Sequence, residues 1–414
     1  MTVFFRNVFL TLIFILIIFS PPIKLLPFYT WFLALLGLII LNNRVFKEKI
    51  GFNSAGNHNF LLFLTVVILI NCVVVPLFHG FTDFSYIPLQ IGIVLTLLRS
   101  VLLIYCLTKW GRGDILSQYC KYFFIACTIY VAFTLIFIVS PSFKQLWLET
   151  ILTDVQDRSA DYAVYEFRYS LDGFAAFSSA SVFSFACLFC SYLVASNSKV
   201  NIVQIACLIL MVVGCFFYGR VSLVGMLLGA VLIIWSADKF SKTVNVVAVI
   251  FLFVFGLLSV LNVASQSNES LLAWQDWAFS IIKQLFIEKE VTDYSVTHMV
   301  EDMYYMPDFF TLLFGDGLYT NANGSYYGHT DVGFMRLILY GGILDLILVY
   351  SLLIYLSKNI IRISKSVVFK RFIVLATALF LILEMKGEAY QRAIMMLYPL
   401  FLIQQYKLEN EANA

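Results

Sequence analysis

The chain has 414 residues, of which 61% are hydrophobic and only 13% are charged, and its mean hydropathy is +0.90. Soluble domains are about half apolar and a quarter charged, so this chain has too few charges to cover a soluble surface. Its formal net charge of +2 provides no basic excess for binding nucleic acid. The composition excludes soluble, disordered and nucleic-acid-binding proteins, and it predicts an all-α polytopic integral membrane protein.

A membrane-spanning helix needs about 20 mainly apolar residues. In chain order this criterion predicts about 12 spans, near residues 4–20, 25–41, 60–79, 88–108, 122–140, 174–195, 202–218, 221–236, 244–262, 332–357, 372–386 and 390–406. The first is kept as a span because Ser20, Pro21 and Pro22 follow it, which is not a signal-peptide cleavage site. The chain is interpreted as a single membrane domain over residues 1–414.

The distribution of charge predicts the orientation of the spans, since lysine and arginine collect in cytoplasmic loops. Placing both termini in the cytoplasm puts most basic residues inside, including a cluster at 358–371, and most acidic residues outside. Two long loops then lie outside, over 141–173 and 263–331. Loops of this length in a compact fold are usually functional or disordered, and the aromatic content of these two favours function.

Within the second long loop, the segment SLLAWQDWAFSIIKQLF has the apolar period of a helix. One face carries Leu271, Trp274, Ala278, Ile281 and Leu285. A helix with such a face and a polar opposite side suits the outer surface of a bilayer. A helix packed against its own loop is an equal alternative.

The cysteines predict neither a disulfide framework nor a metal site, because all 8 lie in or beside apolar runs. Cys187 and Cys190 spell C-x-x-C inside a predicted span. We interpret them as small residues that pack between helices, in preference to a redox pair.

Two charged residues, Arg99 and Asp345, lie near the middle of predicted spans. Charges at that depth are costly and are normally paired. Both spans run from outside to inside, which puts the two residues at similar depth. A structural ion pair between Arg99 and Asp345 is the preferred prediction, and a role with substrate is the alternative.

Basic residues also gather at the predicted outer ends of the spans. They are Arg158 and Arg168 in the first long loop, Arg220 at an outer turn, Arg336 at the start of a span, and Lys386 and Arg392 at the last outer turn. Guanidinium groups match phosphate oxygens well, and nearby tyrosines such as Tyr326 and Tyr327 can stack on sugars. The pattern predicts a site for an anionic lipid that carries phosphate or diphosphate.

Five segments carry a resemblance to a known family. They are YEFRYSLDGF, CFFYGRVSLVG, LLFGDGLYT, HTDVGFMRLILYGGILDLILVY and EMKGEAYQR. In these segments, and in topology over nearly its whole length, the chain resembles the Wzy-type O-antigen polymerases, which are related to the O-antigen ligases. The resemblance implies a GT-C-like fold in the bacterial inner membrane, with both long loops in the periplasm.

The resemblance also implies a reaction in lipopolysaccharide biosynthesis that uses neither a metal nor another cofactor. The donor is a chain on undecaprenyl diphosphate, the acceptor is one lipid-linked repeat unit, and a chain-length-regulating co-polymerase is a partner. Guanidinium groups would stabilise the departing diphosphate. By matching motif positions, this role falls to Arg168, Arg220 and Arg336, with Lys386 and Arg392 in support.

The acceptor hydroxyl needs a general base, for which Asp331 and His329 are the candidates. His329 has an equal alternative as a structural hydrogen-bonding residue in a glycine-rich turn. Asp331 and Arg336 can share one pocket only if the helix starts after Gly333, a poor residue for a helix interior, and we expect that it does.

Two other functions remain open. An O-antigen ligase shares the architecture but delivers the chain to lipid A–core. A non-enzymatic flippase or transporter of lipid-linked oligosaccharides needs charges along a path through the membrane, whereas only Arg99 and Asp345 lie at mid-depth.

Overall fold

The computed structural model describes residues 3–49, 56–81, 83–151, 168–175, 177–196, 202–236, 269–284 and 297–412. Within these ranges the regular structure is α-helical, apart from short 3₁₀ and π turns, isolated bridges and one antiparallel hairpin. The hairpin pairs β1 (Tyr169–Ser170) with β2 (Gly173–Phe174). The fold is therefore all-α, as the composition predicts.

The helices follow one another along the chain, and the longest fully described connection between two of them covers residues 315–332. They are α1 (Val3–Ile18), α2 (Tyr29–Leu41), α3 (Arg44–Lys49), α4 (Gly56–Phe78), α5 (Ile87–Trp110), α6 (Ile115–Val139), α7 (Pro141–Thr150), α8 (Phe177–Ser196), α9 (Ile202–Tyr218), α10 (Leu223–Ser236), α11 (Glu269–Lys283), α12 (Phe309–Phe314), α13 (Gly333–Ile363), α14 (Val367–Leu383) and α15 (Tyr390–Ala412).

Among the described residues, 5 helices are long and apolar enough to cross a membrane. They are α5, α6, α8, α13 and the part of α4 from Asn59 to Phe78. Shorter apolar helices cover Val3–Ile18, Tyr29–Leu41, Val203–Tyr218 and Arg220–Ser236. These lengths and compositions indicate a multi-pass membrane protein.

The predicted span near 244–262 lies outside the described residues. The one near 372–386 corresponds to α14, which ends at Leu383, so that Lys386 lies in the following turn.

Proline and glycine set several helix boundaries. Pro88 lies in the first turn of α5 and Pro141 begins α7, where a missing N–H leaves no intrahelical bond unmade. At the other end of α5, the N–H of Gly111 donates to the Leu107 carbonyl at 2.8 Å and closes the last turn.

The chain forms two compact units whose segments alternate in sequence. Unit 1 contains Met1–Tyr29, Tyr119–Asp293 and Val367–Leu379. Unit 2 contains Thr30–Gln118, Tyr294–Ser366 and Phe380–Ala414.

Helix α8 is the centre of unit 1, and its aromatic residues Phe183 and Phe189 are fully buried. It packs against α9 and α10. A Cβ on Gly225 of α10 would lie 1.9 Å from the Ser184 carbonyl oxygen, so the close approach of these helices requires glycine there. Cys187 and Cys190 are buried and free within α8, in keeping with a packing role.

In unit 2, α13 is interrupted at Gly342, whose φ of 71° lies in the left-handed region that favours glycine. The interruption frees two carbonyl oxygens from the helical pattern. The Leu339 carbonyl accepts the N–H of Asp316 at 2.7 Å, and the Tyr340 carbonyl accepts the N–H of Gly317 at 3.0 Å. The kink thus binds the segment that follows α12.

The predicted ion pair between Arg99 and Asp345 is not among the ion pairs of the described residues. Asp345 Oδ1 instead accepts a hydrogen bond from Asn71 Nδ2 at 2.9 Å, while its Oδ2 is buried without a hydrogen bond. Arg99 donates to the Leu95 carbonyl at 3.2 Å and to Thr96 Oγ1 at 3.0 Å, both on its own helix. Similar depth along two helices does not determine which of their faces meet, so the prediction was wrong.

Candidate functional site

The predicted site residues divide between the two units. Arg168 and Arg220 belong to unit 1. His329, Asp331, Arg336, Tyr326, Tyr327, Lys386 and Arg392 belong to unit 2. Arg158 lies outside the described residues. Each unit therefore contains its own cluster of candidate residues.

In unit 1, two arginines from different parts of the chain meet at one aromatic ring. Arg168 directly precedes β1, and Arg220 begins the 3₁₀ turn between α9 and α10. Their guanidinium carbons lie 5.3 and 5.1 Å from the ring centroid of Trp277 on α11. Arg220 also donates to Ser280 Oγ, one turn further along α11. We call these four residues the Trp277 cluster.

The hairpin that carries Arg168 is held at several points. Ser170 Oγ donates to the Tyr130 carbonyl at 2.7 Å, and Trp147 Nε1 donates to the Leu171 carbonyl at 3.1 Å. Arg168 itself donates from Nη2 to the Tyr218 carbonyl at 2.9 Å, close to the turn that carries Arg220. The Arg168 guanidinium is thus positioned by backbone, and the Arg220 guanidinium by the Ser280 hydroxyl.

The chemistry available to the Trp277 cluster is recognition of an anion. A guanidinium that lies over an aromatic ring keeps its in-plane N–H groups for hydrogen bonds at the edge. Two such groups on one half-buried indole can present donors to a phosphate or diphosphate in a site partly shielded from water. Shielding strengthens each contact relative to water.

The apolar face predicted for α11 packs against protein. Trp274 is 2% exposed and its ring centroid lies 5.2 Å from that of Phe217 on α9. Ala278 is buried as well. The described part of this face thus contacts α9, which lies outside the long loop, so packing of α11 against its own loop is not what these residues show. The side chains of Leu271 and Ile281, and all of Leu285, lie outside the described residues.

In unit 2, Arg336 is the centre of a buried cluster. Only 6% of its side chain is exposed, and Nη1 lies 3.2 Å from Glu388 Oε2. The guanidinium is held between two rings, with its carbon 3.9 Å from the centroid of Tyr319 and 3.8 Å from that of Tyr326. The Tyr319 hydroxyl donates to Glu388 Oε1 at 2.5 Å. We call Arg336, Glu388, Tyr319 and Tyr326 the Arg336 cluster.

Glu388 lies in the turn between α14 and α15. Burial raises the pKa of its carboxyl, the charge of Arg336 and the Tyr319 hydrogen bond lower it, and the balance is a raised pKa. In the same turn, Glu384 Oε1 accepts the N–H of Ala389 at 2.7 Å. Glu384 thus fixes the backbone that presents Glu388 to Arg336.

Asp83, between α4 and α5, fixes the other side of the cluster. Its Oδ2 accepts the N–H groups of Tyr319 at 2.7 Å and Thr320 at 3.0 Å. Its Oδ1 accepts the N–H of Ser85 at 2.9 Å. Partial burial acts to raise the pKa of Asp83, but a hydrogen bond with the Ser85 side chain and the three backbone bonds outweigh it, and the pKa is lowered.

The two candidate bases precede α13. His329 is exposed, with a φ of 55°, at the end of a 3₁₀ turn. Asp331 is half-buried. The helix begins at Gly333, one residue earlier than expected, and Val332 is its N-cap, so Asp331 lies outside it. The choice between a catalytic and a structural role for His329 stays open.

The remaining predicted residues of unit 2 have separate surroundings. The Tyr327 hydroxyl donates to Asp316 Oδ2 at 3.0 Å. Lys386 is half-buried in the turn after α14. Arg392, in the first turn of α15, lies 3.7 Å from the Met395 sulfur through Nη1. Of the residues predicted here, the structure brings Arg336 and Tyr326 into direct contact.

Besides Ser280, three residues of these clusters were not predicted as site residues. Trp277 follows Trp274 by three positions on the same helix, so the helical period could have placed it on the inner face. Glu388 shares a turn with Lys386, and its charge could have marked it as a partner for a buried arginine. Tyr319 is fixed by contacts between distant segments, which no local pattern shows.

No protein-family model, no curated protein and no solved structure matches this chain. In the part of the chain that the structure describes, no group of three or more His, Cys, Asp or Glu residues is placed to hold a metal ion. The two clusters and the quoted sequence segments are thus the features from which a function can be inferred.

Proposed function

We propose that this chain is a Wzy-type O-antigen polymerase, a glycosyltransferase that joins undecaprenyl-diphosphate-linked repeat units at the periplasmic face of the bacterial inner membrane. The observation that carries the proposal is the meeting of Arg168 and Arg220 over Trp277. The segments around these arginines are among those that resemble the polymerases, and the arginines are 5.3 and 5.1 Å from one ring although distant in sequence.

The proposal includes the finer topology. About 12 spans in a GT-C-like arrangement, with both termini in the cytoplasm, put the loops that carry Arg168 and Trp277 in the periplasm. The basic residues at 358–371 then lie on the cytoplasmic side. A co-polymerase that regulates chain length would be the protein partner.

In the proposed reaction, the acceptor hydroxyl attacks the anomeric carbon of the donor. A C–O bond forms, the bond from that carbon to the diphosphate breaks, and its electron pair goes to the departing diphosphate oxygen. The hydroxyl proton passes to a base, for which Asp331 and His329 remain the candidates.

Charge on the departing diphosphate needs donors that are in place before the reaction. Arg168 and Arg220 present two guanidinium groups at one half-buried ring. We assign the main contacts with the diphosphate to Arg168 and Arg220, because they meet at one ring and lie in segments that resemble the polymerases. Arg336, which is paired with Glu388, has a supporting role.

The test replaces each arginine of the Trp277 cluster by lysine, which keeps the charge but loses the two-pronged contact. Arg220→Lys and Arg168→Lys should reach the membrane at normal level and reduce polymerisation by about 10²–10³-fold. The measurement is the lipopolysaccharide ladder on a gel, where cores capped with one repeat unit should accumulate. Arg371→Lys is a matched control, since Arg371 lies 5.0 Å from the ring centroid of Trp235 in the same unit.

Other results would contradict the proposal. Long polymer at normal yield from Arg220→Ala would exclude the assigned role. Cores that lack any repeat unit would identify a ligase instead, and repeat units trapped on the cytoplasmic side would identify a flippase.

A further inference from the structure

The segment 306–317 of unit 2 contains α12 and the turn that follows it. Its backbone is hydrogen-bonded to α13 at the kink and not at the start of that helix. Asp316 and Gly317 donate to the carbonyls freed at the kink, those of Leu339 and Tyr340. With a rise of about 1.5 Å per residue, these carbonyls lie roughly 10 Å along α13 from Gly333. The segment is therefore level with the first third of α13, a helix long and apolar enough to span a membrane.

Contacts with α4 give the same level. A Cβ on Gly317 would lie 3.2 Å from Pro76 Cα, and the Phe314 carbonyl lies 3.4 Å from His79 Nε2. The Tyr340 hydroxyl, at the same kink, donates to the Cys72 carbonyl at 2.7 Å. Since the candidate span of α4 covers Asn59–Phe78, the segment lies beside the end of that span, at Pro76, and beside His79, which follows it.

The outward side of this segment is strongly apolar. Met306 is 83% exposed, Phe309 76% and Phe310 53%, and Phe314 is exposed as well. The apolar surface continues onto α4, where Leu77 and Phe78 are also exposed.

Polar groups at the start of α12 are bonded within the protein, while the Asp308 carboxylate that caps the helix is itself exposed. Asp308 accepts the N–H groups of Phe310 at 2.9 Å and Thr311 at 3.1 Å. Asp316 accepts the Thr311 hydroxyl at 2.7 Å. Irregular backbone at membrane depth is tolerated where such bonds are made within the protein.

We propose that residues 306–317 form a re-entrant element that inserts into one leaflet, with Met306, Phe309, Phe310 and Phe314 in contact with lipid acyl chains. Acyl chains are the occupant because the exposed side chains are apolar and continuous with the outward surface of a spanning helix. The inference requires a membrane-embedded chain and does not depend on the reaction proposed above.

The experiment measures access to single cysteines in lipid nanodiscs, which expose both faces to reagent. The variants are Phe309→Cys and Met306→Cys, and the control is Ala322→Cys, an exposed position in the loop after the segment. A charged maleimide should label the control readily and label the other two slowly, whereas denaturation should equalise all three. Labelling of the unsubstituted protein gives the background from the native cysteines.

A second measurement identifies the occupant. A fluorophore coupled at position 309 or 306 should be quenched by lipids that carry a spin label on the acyl chain, and one at position 322 should not. Equal labelling at 309, 306 and 322 in nanodiscs would overturn the inference. Slow labelling without quenching by lipid would also overturn it, since the patch would then be covered by protein. Met306→Cys, which lies outside α12, preserves the test if Phe309→Cys fails to fold.

Discussion

Arg336 and Glu388 face each other across 3.2 Å with only 6% and 13% of their side chains exposed. Removing one partner of such a pair leaves a buried charge uncompensated and costs about 3–5 kcal/mol. Removing both costs less, because no lone charge remains.

Glu388→Ala should therefore destabilise the protein strongly, and the double variant with Arg336→Met should recover part of the loss. The measurement is the free energy of unfolding in a denaturing detergent titration, analysed as a double-mutant cycle. Lys365→Ala is the control, because the Lys365–Glu411 pair is 78% and 56% exposed and should contribute about 0–1 kcal/mol. Additive effects of the two single changes would show that Arg336 and Glu388 are not coupled.

The lowered pKa of Asp83 predicts acid sensitivity of the segment at 319–320. A folded-state pKa below the unfolded value, about 3.9 for aspartate, means that the stabilisation is complete above that value. It is lost as the pH falls towards the folded pKa. Hydrogen exchange of the Tyr319 and Thr320 amides should accelerate below about pH 4, after correction for intrinsic rates. Asp83→Asn should show less of this pH dependence, and an unchanged profile would exclude the proposed linkage.

A comparison of Gly342 with Gly324 distinguishes the cost of a steric clash from the cost of a left-handed backbone conformation. Both have a left-handed φ, but a Cβ on Gly342 would lie 2.2 Å from the Leu313 carbonyl oxygen, whereas one on Gly324 would meet nothing within 4 Å. Gly324→Ala should cost only about 1–2 kcal/mol for conformation. Gly342→Ala should additionally displace α12 from the kink and sharply reduce the yield of monodisperse protein on gel filtration. Equal yields from the two variants would contradict this.

The ring of Trp277 lies against both Arg168 and Arg220. It should therefore contribute to polymerisation through these contacts as well as through its apolar surface. Trp277→Phe keeps an aromatic face and should retain partial activity, while Trp277→Leu should lose most of it. Trp235→Leu provides the control, because its ring lies 5.0 Å from Arg371 and has no proposed role in the reaction. The lipopolysaccharide ladder and the amount of protein in the membrane are measured together. Normal polymer from Trp277→Leu would remove the ring from the mechanism.

Reporter fusions test the orientation. Fusions at residues 50, 115 and 365 should report from the cytoplasm, and fusions at 160 and 290 should report from the periplasm, because lysine and arginine favour the cytoplasmic side. A cytoplasmic signal at 290 would reverse the large loop and remove the basis for a periplasmic reaction.

The all-α class and most helix positions could be predicted from the sequence, because long apolar runs require helices whose backbone is internally bonded. The period of 3.6 residues likewise identified α11. The kink at Gly342 was not predicted, since a hydropathy window averages over Gly341 and Gly342 and does not register backbone conformation. Its role depends on α12, which is distant in sequence.

The site was predicted unevenly for a related reason. Arginines at span ends stand out in an apolar chain, so Arg168, Arg220 and Arg336 were identified as candidates. Their partners come from segments far away in sequence, as Trp277 and Glu388 do, and nothing local specifies that pairing. The same limit explains Asp345, which was paired with a charge on α5 but lies against Asn71 of α4.

The segments of the two units alternate along the chain, and this has a consequence for the biosynthesis of unit 2. The ribosome delivers Arg336 with α13, but the carboxylate of Glu388 follows only after α14 has been made. Until then the guanidinium can be held by the rings of Tyr319 and Tyr326, which precede it in the chain, without an anion to neutralise it. A nascent or truncated protein that stops before residue 384 keeps an unneutralised buried charge, a feature expected to mark it for degradation by membrane proteases. Synthesis of the turn before α15, more than insertion of α13, is therefore the event that provides the counter-charge for Arg336.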